Sequence, residues 1–275
     1  MKRILITGAN GTIGTALLRR LSAFPEQYRA ETVSLREFAP DALDLRGYDA
    51  VVHAAAIVHQ KETAENRPLY GAVNRDLTAA LAAKAKAESV RQFVFLSTMS
   101  VYGLETGVVS KDTAPNPVTA YGRSKLEAER LIAPLADDTF FVTILRPPTV
   151  FGPGAKGNYR RLVTLAKKLP VRPDFENRRS MVSIDTLCDA IRACLDAPES
   201  AILFPQEPEP VCTADLIGSI AAEQGRTLRA TRVLNPAIRL FRACTHSGKK
   251  AFGDLVYRDL DRLPLSAVFT EEERT

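Results

Sequence analysis

Two residues in Tyr121-Gly-Arg-Ser-Lys125 could do acid–base chemistry together, because a spacing of four puts both on one face of a helix. A tyrosine hydroxyl titrates at about 10 and is a poor acid or base at neutral pH unless a nearby cation lowers it. The Lys125 ammonium, one turn away, could supply that field. A third group must hold the substrate oxygen while its bonding changes. The apolar run Phe93–Leu96 is followed directly by Ser97-Thr98-Met99-Ser100, and ligands of open α/β sheets gather beyond the carboxyl ends of strands. Tyrosine–lysine pairs at this spacing arise by chance in many helices. The pair gains meaning from what precedes it in the chain.

What precedes it is a glycine-rich turn. Thr7-Gly8-Ala9-Asn10-Gly11-Thr12-Ile13-Gly14 follows the apolar run Arg3–Ile6 and opens the helix-like stretch Ile13–Leu21. In such a turn Gly8 makes the tight bend, Gly11 lets backbone approach a pyrophosphate, and Gly14 lets helix and strand pack closely. Asn10, Thr12 and Ile13 complete a phosphate cradle at a helix N-terminus, whose N–H groups favour an anion. A dinucleotide is the expected ligand, and Lys125 would then also hold its nicotinamide ribose. About 20 residues on, an acid would accept the 2′-hydroxyl of NAD; the chain has Leu35-Arg36-Glu37 there, and Arg36 suits the 2′-phosphate of NADP. NADP(H) is favoured, and Glu37 keeps NAD(H) open. Asp44-Leu45 falls before the next strand, at the adenine end, and Ala54-Ala55-Ala56 closes that strand with side chains small enough for a cofactor to cross. His53 reads as a packed strand-end residue rather than a base.

These pieces need elements to position them. Runs at Arg3–Ile6, Glu31–Leu35, Ala50–His53, Phe93–Ser97, Phe141–Leu145 and Ala201–Phe204 read as strands, and Ile13–Leu21, Asn74–Ser89 and Ser124–Leu135 as helices between them. The alternation predicts an α/β fold built on a Rossmann-like, doubly wound parallel sheet. Near-continuous apolarity in Val51-Val52 and Phe93–Leu96 fits strands covered on both faces. Beyond Pro153 the pattern loosens, with prolines at 170, 173, 205, 208 and 210 marking loops. A dinucleotide-binding domain is expected over 1–155 and a smaller C-terminal substrate-binding region over 156–275, interleaved with the sheet near 181–204. Asp185 is expected to cap the helix that begins there.

In order and spacing, Thr7–Gly14, Asp49–Ala56, Asn74, Phe95–Gly103, Tyr121–Lys125, Arg146–Gly154 and Arg179–Leu187 resemble the extended short-chain dehydrogenase/reductase family, in its NAD-dependent epimerase/dehydratase group. The resemblance implies that Tyr121 is the acid/base, Lys125 its electrostatic partner and Thr98 the catalytic hydroxyl, with Ser97 the near alternative. It implies that Asn74 braces the active-site helix and strand, and that Pro147 lines the nicotinamide pocket. Arg179 matches the arginine that binds the nucleotide diphosphate, with Asn158 and Arg178 beside it; Ser100 and Thr149 complete the substrate contacts. Relatives often dimerise through helices that include the Tyr-Lys helix, which leaves a homodimer open.

Dehydratases of this group usually carry Asp-Glu after the catalytic threonine. Met99 and Ser100 stand there instead, which disfavours elimination of water. Two reactions of a nucleotide-activated sugar remain. One is reduction of a 4-keto group, with Tyr121 donating the proton as hydride arrives; the other is 4-epimerisation through a transient ketone with tightly held NAD. Arg36 leans toward NADPH and reduction, and Thr149 stands where many epimerases have asparagine. A cofactor-binding regulator without turnover is the alternative of another class, and the intact Thr98, Tyr121 and Lys125 set argues against it.

Composition bounds the rest. The 275 residues carry 37 Lys and Arg against 32 Asp and Glu, a net charge of +5 that suits an anionic small ligand without demanding nucleic acid. No run approaches ~18 apolar residues, so no membrane span is expected, and the short apolar run after Met1-Lys2-Arg3 does not suit an export signal. The four cysteines lack paired spacing and three histidines make no convincing zinc site. A cytoplasmic enzyme without a metal is expected. From Gln224 to Gly253 there are seven basic residues and no acid. Asn235-Pro236 reads as a capped helix start, with Ile238 and Phe241 sharing a face beside Arg239 and Arg242. A solvated rim facing an anionic substrate is favoured there over docking to an acidic membrane surface.

Overall fold

Val51, Val52, Phe93 and Phe95 have no exposed surface, because helices cover both faces of the sheet that contains them. The computed structural model describes residues 1–35, 40–58, 62–155 and 157–264. Its first half runs β1 (Lys2–Thr7), α1 (Thr12–Ser22), β2 (Tyr28–Val33), β3 (Ala50–His53), α2 (Arg67–Tyr70), α3 (Leu77–Ala87), β4 (Gln92–Leu96), β5 (Gly107–Val109), α4 (Ala120–Ile132) and β6 (Phe141–Leu145). There follow β7 (Thr149–Phe151), α5 (Asn158–Lys168), β8 (Val171–Pro173), β9 (Met181–Ser183), α6 (Ile184–Asp196) and β10 (Ala201–Leu203). The chain then forms α7 (Thr213–Glu223), β11 (Arg229–Thr231), α8 (Asn235–Cys244), α9 (His246–Phe252), β12 (Leu255–Tyr257) and β13 (Arg262–Pro264).

The main sheet has the order β2-β1-β3-β4-β6-β10-β13, parallel except for β13 against β10. The chain leaves β1 toward β2 and returns on the other side to β3, so the strand order reverses at β1. A crevice opens at such a point beyond the strand ends. Register sets what meets there: Thr7 pairs with His53, His53 with Phe95, and Leu96 with Leu145. The glycine turn, Ala54–Ala56, Ser97–Ser100 and Arg146–Thr149 therefore emerge along one edge.

Each face has its own core. Leu81, Ala85, Leu126 and Ile132 of α3 and α4 pack with Phe93 and Phe95, while Leu17, Leu21, Leu187 and Ile191 of α1 and α6 pack with Val52 and Val94. Each fully buried side chain of this size stabilises the fold by ~1.5–3 kcal/mol. Arg20 of α1 also holds Asp189 of α6 through two hydrogen bonds of 2.7 and 2.6 Å. A third core joins Tyr159, Phe175, Leu216, Ile217, Ile220 and Phe252, from α5, α7, α9 and the loop after β8. The C-terminal residues are threaded through both parts: α6, β10 and β13 complete the main sheet and its cover, and β9 pairs with β7.

Three local expectations are corrected. Asp185 is not a cap; Ser183 Oγ accepts from Thr186 N at 3.0 Å, because β9 runs straight into α6 at Ile184. The Tyr-Lys helix begins at Ala120 rather than Ser124, capped by Thr119, which accepts from Gly122 N at 3.0 Å. Asn235 is the first residue of α8 and not its cap; its amide instead donates to Asp174 O at 2.7 Å. Among the described residues, no helix is long and apolar enough to cross a membrane and no cluster could hold a metal ion.

Candidate functional site

The glycine turn is shaped by contacts that admit no side chain. Gly8 has φ +91°, and a Cβ there would lie 3.1 Å from Ala55 N. A Cβ on Gly14 would sit 2.5 Å from Gly8 O, so α1 approaches the turn as only glycine allows. α1 starts from Gly11 without a side-chain cap, which leaves first-turn N–H groups to an anion. Around this turn Asn10 is exposed, Ile13 packs on the α1/α6 core, and Thr12 Oγ1 donates to Gly154 O at 2.8 Å. Ala54 and Ala55 lie against Gly8, and Ala55 N donates to Thr7 Oγ1 at 3.3 Å; Ala56 follows, half-buried.

From Thr7 a buried polar chain crosses toward α4. Thr7 Oγ1 lies 2.8 Å from His53 Nδ1, and His53 Nε2 lies 2.9 Å from Thr78 Oγ1, which donates to Asn74 O at 2.8 Å. Since the Thr78 proton is committed to Asn74, its oxygen accepts from Nε2–H, and Nδ1 accepts from Thr7. Burial, with the Lys125 charge adding, pushes His53 down to about 3, so it stays neutral. This matches its reading as a packed residue rather than a base.

Asn74 sits in a single π turn, Gly71–Asp76, between α2 and α3. Its Oδ1 accepts from Ile57 N at 2.8 Å, and its Nδ2 donates to Ile57 O at 3.0 Å and Ser124 Oγ at 3.2 Å. Ser124 Oγ in turn donates to Tyr121 O at 2.9 Å. Asn74 thus ties the segment after β3 to α4.

α4 packs closely on the segment after β4, where a Cβ on Gly122 would lie 2.6 Å from Ser100 O. Thr98 Oγ1 accepts from Ser100 N at 3.1 Å, which holds the exposed Ser100 beside it. Burial pushes the Tyr121 hydroxyl up to about 12, with Thr98 pulling the other way and Tyr70 adding to the rise. The Lys125 ammonium donates to Leu96 O at 2.6 Å and lies 4.3 Å from the Phe95 ring centroid. Burial pushes it down to about 7, opposed by Glu129. In the protein alone the Lys125 ammonium serves the last carbonyl of β4.

The alternative between Ser97 and Thr98 is a matter of direction. Ser97 is buried and donates its hydroxyl to Glu129, away from Tyr121. Glu129 is paired with Arg146, whose Nε reaches its two oxygens at 3.1 and 3.2 Å, and Arg146 Nη1 donates to Tyr102 Oη at 2.8 Å. Sequence reasoning missed Glu129 although it stands four residues beyond Lys125 on the same helix face. It missed Glu62 as well, whose Oε1 accepts from Ala120 N at 2.8 Å and caps α4 from a distant segment.

The remaining expected residues divide. Pro147 is buried and its carbonyl accepts from Met99 N at 2.9 Å; Thr149 lies half-buried in β7. Asp44 is exposed and held well below the usual carboxylate range, at about 2, by hydrogen bonds from Arg46. Leu45 is corrected from a cofactor contact to a core residue: its side chain has no exposed surface and its N–H donates to Glu88 at 2.6 Å. Arg179 is buried, and its Nη1 donates to Gly253 O at 2.7 Å beyond α9; burial lowers its pKa, opposed by Asp254 and Glu105. Arg178 is exposed, with its N–H on Asp254 at 2.7 Å. Asn158 begins α5, but its side chain lies outside the described residues, as do Arg36 and Glu37.

The model of the NAD dependent epimerase/dehydratase family matches residues 4–203. The chain is 33% identical to a UDP-glucose 4-epimerase of Vibrio cholerae over 246 residues, covering 80% of this chain and 75% of that protein. It is 29% identical over 175 residues to the N-acetyl-alpha-D-glucosaminyl-diphospho-ditrans,octacis-undecaprenol 4-epimerase of Escherichia coli O157:H7, covering 58% of this chain and 52% of that one. The solved structure of a UDP-glucuronic acid 4-epimerase from Bacillus cereus in complex with NAD matches with TM-score 0.70 and 21% identity, over 97% of this chain and 94% of that one. At that identity the likeness is one of fold.

Proposed function

The chain belongs to the NAD dependent epimerase/dehydratase family, and from that premise we propose that it inverts C4 of a diphosphate-linked sugar, using a nicotinamide dinucleotide in the crevice beyond β1 and β3. The observation that carries this reading is the packing of α4, beside Tyr121, on the segment that holds Thr98, where a Cβ on Gly122 would lie 2.6 Å from Ser100 O, on the sheet edge where the glycine turn also emerges. The dinucleotide, when bound, supplies the hydride acceptor and donor. Tyr121, entering the step as the phenolate, takes the proton of the C4 hydroxyl as hydride leaves C4 and returns it when hydride comes back to the other face, while Thr98 holds the same oxygen. Lys125 orients the nicotinamide ribose. Arg179 holds the diphosphate, and Ser100, Thr149 and Asn158 contact the sugar. The 33% identity to a 4-epimerase supports inversion as the net reaction.

A second reading, net reduction of a 4-keto sugar by NADPH, draws on two observations. Arg36 suits a 2′-phosphate. Burial holds the Tyr121 proton in place, as a proton donor requires.

Incubation with UDP- and dTDP-sugars, including their 4-keto forms, separates the two when sugar inversion and NADPH consumption are followed together. Inversion without net consumption is expected; consumption without inversion would select reduction. Tyr121→Phe is expected to lower turnover by at least ~100-fold while dinucleotide affinity holds. Unchanged turnover would overturn both readings.

A further inference from the structure

α8 has an apolar stripe that faces outward. None of its residues is buried. Ala237, Leu240, Phe241 and Cys244 recur at i, i+3, i+4 and i+7, the pattern by which a helix ordinarily meets a core, yet all four are exposed. Leu240 is 66% exposed, Phe241 40%, and Val233 just before the helix 83%. Of its apolar side chains Ile238 turns inward, onto the third core, where Arg242 also lies over the Phe175 ring. The shared face expected for Ile238 and Phe241 is thus split, one toward the protein and one toward solvent.

The chain around this stripe carries only basic charge, and Asp174, Asp254 and Glu105 are brought against it from outside. Of the seven basic residues between Gln224 and Gly253, Arg226 is spent on the last carbonyls of α5, at 2.6 Å from Ala166 O and Lys167 O. Arg232 pairs with Asp174 at 2.8 Å and Arg242 faces Asp254 at 3.7 Å. Arg229, Arg239, Lys249 and Lys250 enter no ion pair among the described residues. A second copy presenting the same face would set like charges together. An anionic bilayer answers both features, taking the apolar side chains into the headgroup boundary and the cations onto lipid phosphates.

We propose that α8, with Val233, is an interfacial helix that docks this end of the protein on an anionic membrane surface. The sequence favoured a solvated rim because periodicity does not say which way a stripe faces; the outward stripe reverses that preference. The face is firmly joined to the rest of the molecule. Gly248 of α9 packs so closely on α8 that a Cβ would lie 2.1 Å from Phe241 O, and Arg179 donates to Gly253 O at the far end of α9. The proposal stands whichever reaction the site performs.

Sedimentation with vesicles of equal phosphatidylglycerol and phosphatidylcholine, against phosphatidylcholine alone, tests it at low and high salt. The full chain is expected to sediment with the anionic vesicles and to be released by salt. Arg239→Glu should weaken partition roughly fivefold or more, and the Leu240→Ser/Phe241→Ser double variant should weaken it even at low salt. Thermal unfolding should be unchanged in both variants, since the residues are exposed. No partition onto anionic vesicles at low salt, or partition indifferent to the double variant, would overturn the proposal. So would sedimentation equilibrium showing a dimer that the double variant dissociates.

Discussion

Arg146 and Glu129 form a two-pronged ion pair with no exposed side-chain surface, directly behind Ser97 and one helical turn from Lys125. Taking either partner away leaves a buried charge without compensation, which costs ~3–5 kcal/mol. Glu129→Ala and Arg146→Ala are each expected to lower stability by about that much in urea unfolding with an unchanged m value. A loss below ~1 kcal/mol, the scale of a surface pair, would mean that the network does not carry this part of the fold. Glu129→Ala should also slow turnover, because Ser97 loses the acceptor that anchors the residue before Thr98.

His53 makes stability depend on acid. Its folded value of about 3 lies below the ~6.5 of an unfolded histidine. Between those values the unfolded chain binds more protons, so this contribution is present above pH ~6.5 and is lost as pH falls toward about 3, with a slope of up to ~1.4 kcal/mol per pH unit. Urea midpoints measured from pH 7 to 4 should fall more steeply for the wild type than for His53→Asn. Parallel curves would show that His53 does not stay neutral in the folded protein.

Gly14 and Gly218 should respond oppositely to alanine. At Gly14 the new Cβ meets Gly8 O at 2.5 Å, and two backbone segments must part. Dinucleotide affinity is expected to drop roughly tenfold or more, with ~1–3 kcal/mol of stability lost. At Gly218, inside α7, the nearest atom is Arg172 Cδ at 3.1 Å, on a side chain that can move. There the gain in helix propensity of up to ~1 kcal/mol should leave stability equal or higher. Calorimetric titration with NAD and NADP, alongside unfolding, reads both effects.

Arg36→Ala addresses cofactor choice. A guanidinium on the 2′-phosphate predicts a selective loss of NADP affinity, roughly tenfold or more, with NAD little affected. Equal loss for both dinucleotides, or none, would remove the argument for NADP.

Some of this molecule is written within a few residues of chain. The glycine turn after β1 needs glycines at 8 and 14, and the Tyr121–Lys125 spacing needs only a helix, so both were legible from local pattern. The doubly covered strands announced themselves in Val51-Val52 and Phe93–Leu96. Other features depend on residues far apart in the chain. Glu62 caps a helix 58 positions away, Lys125 turns to Leu96 O, Ser97 is separated from Thr98 by the pull of Glu129, and Leu45 sinks into a core that Glu88 helps close. Periodicity and turn chemistry are local and therefore readable, so the sequence by itself determined the sheet, the turn and the helix that carries Tyr121 and Lys125. Which way a hydroxyl, an ammonium or an apolar stripe faces depends on which distant segment buries it, and only the tertiary structure decided that.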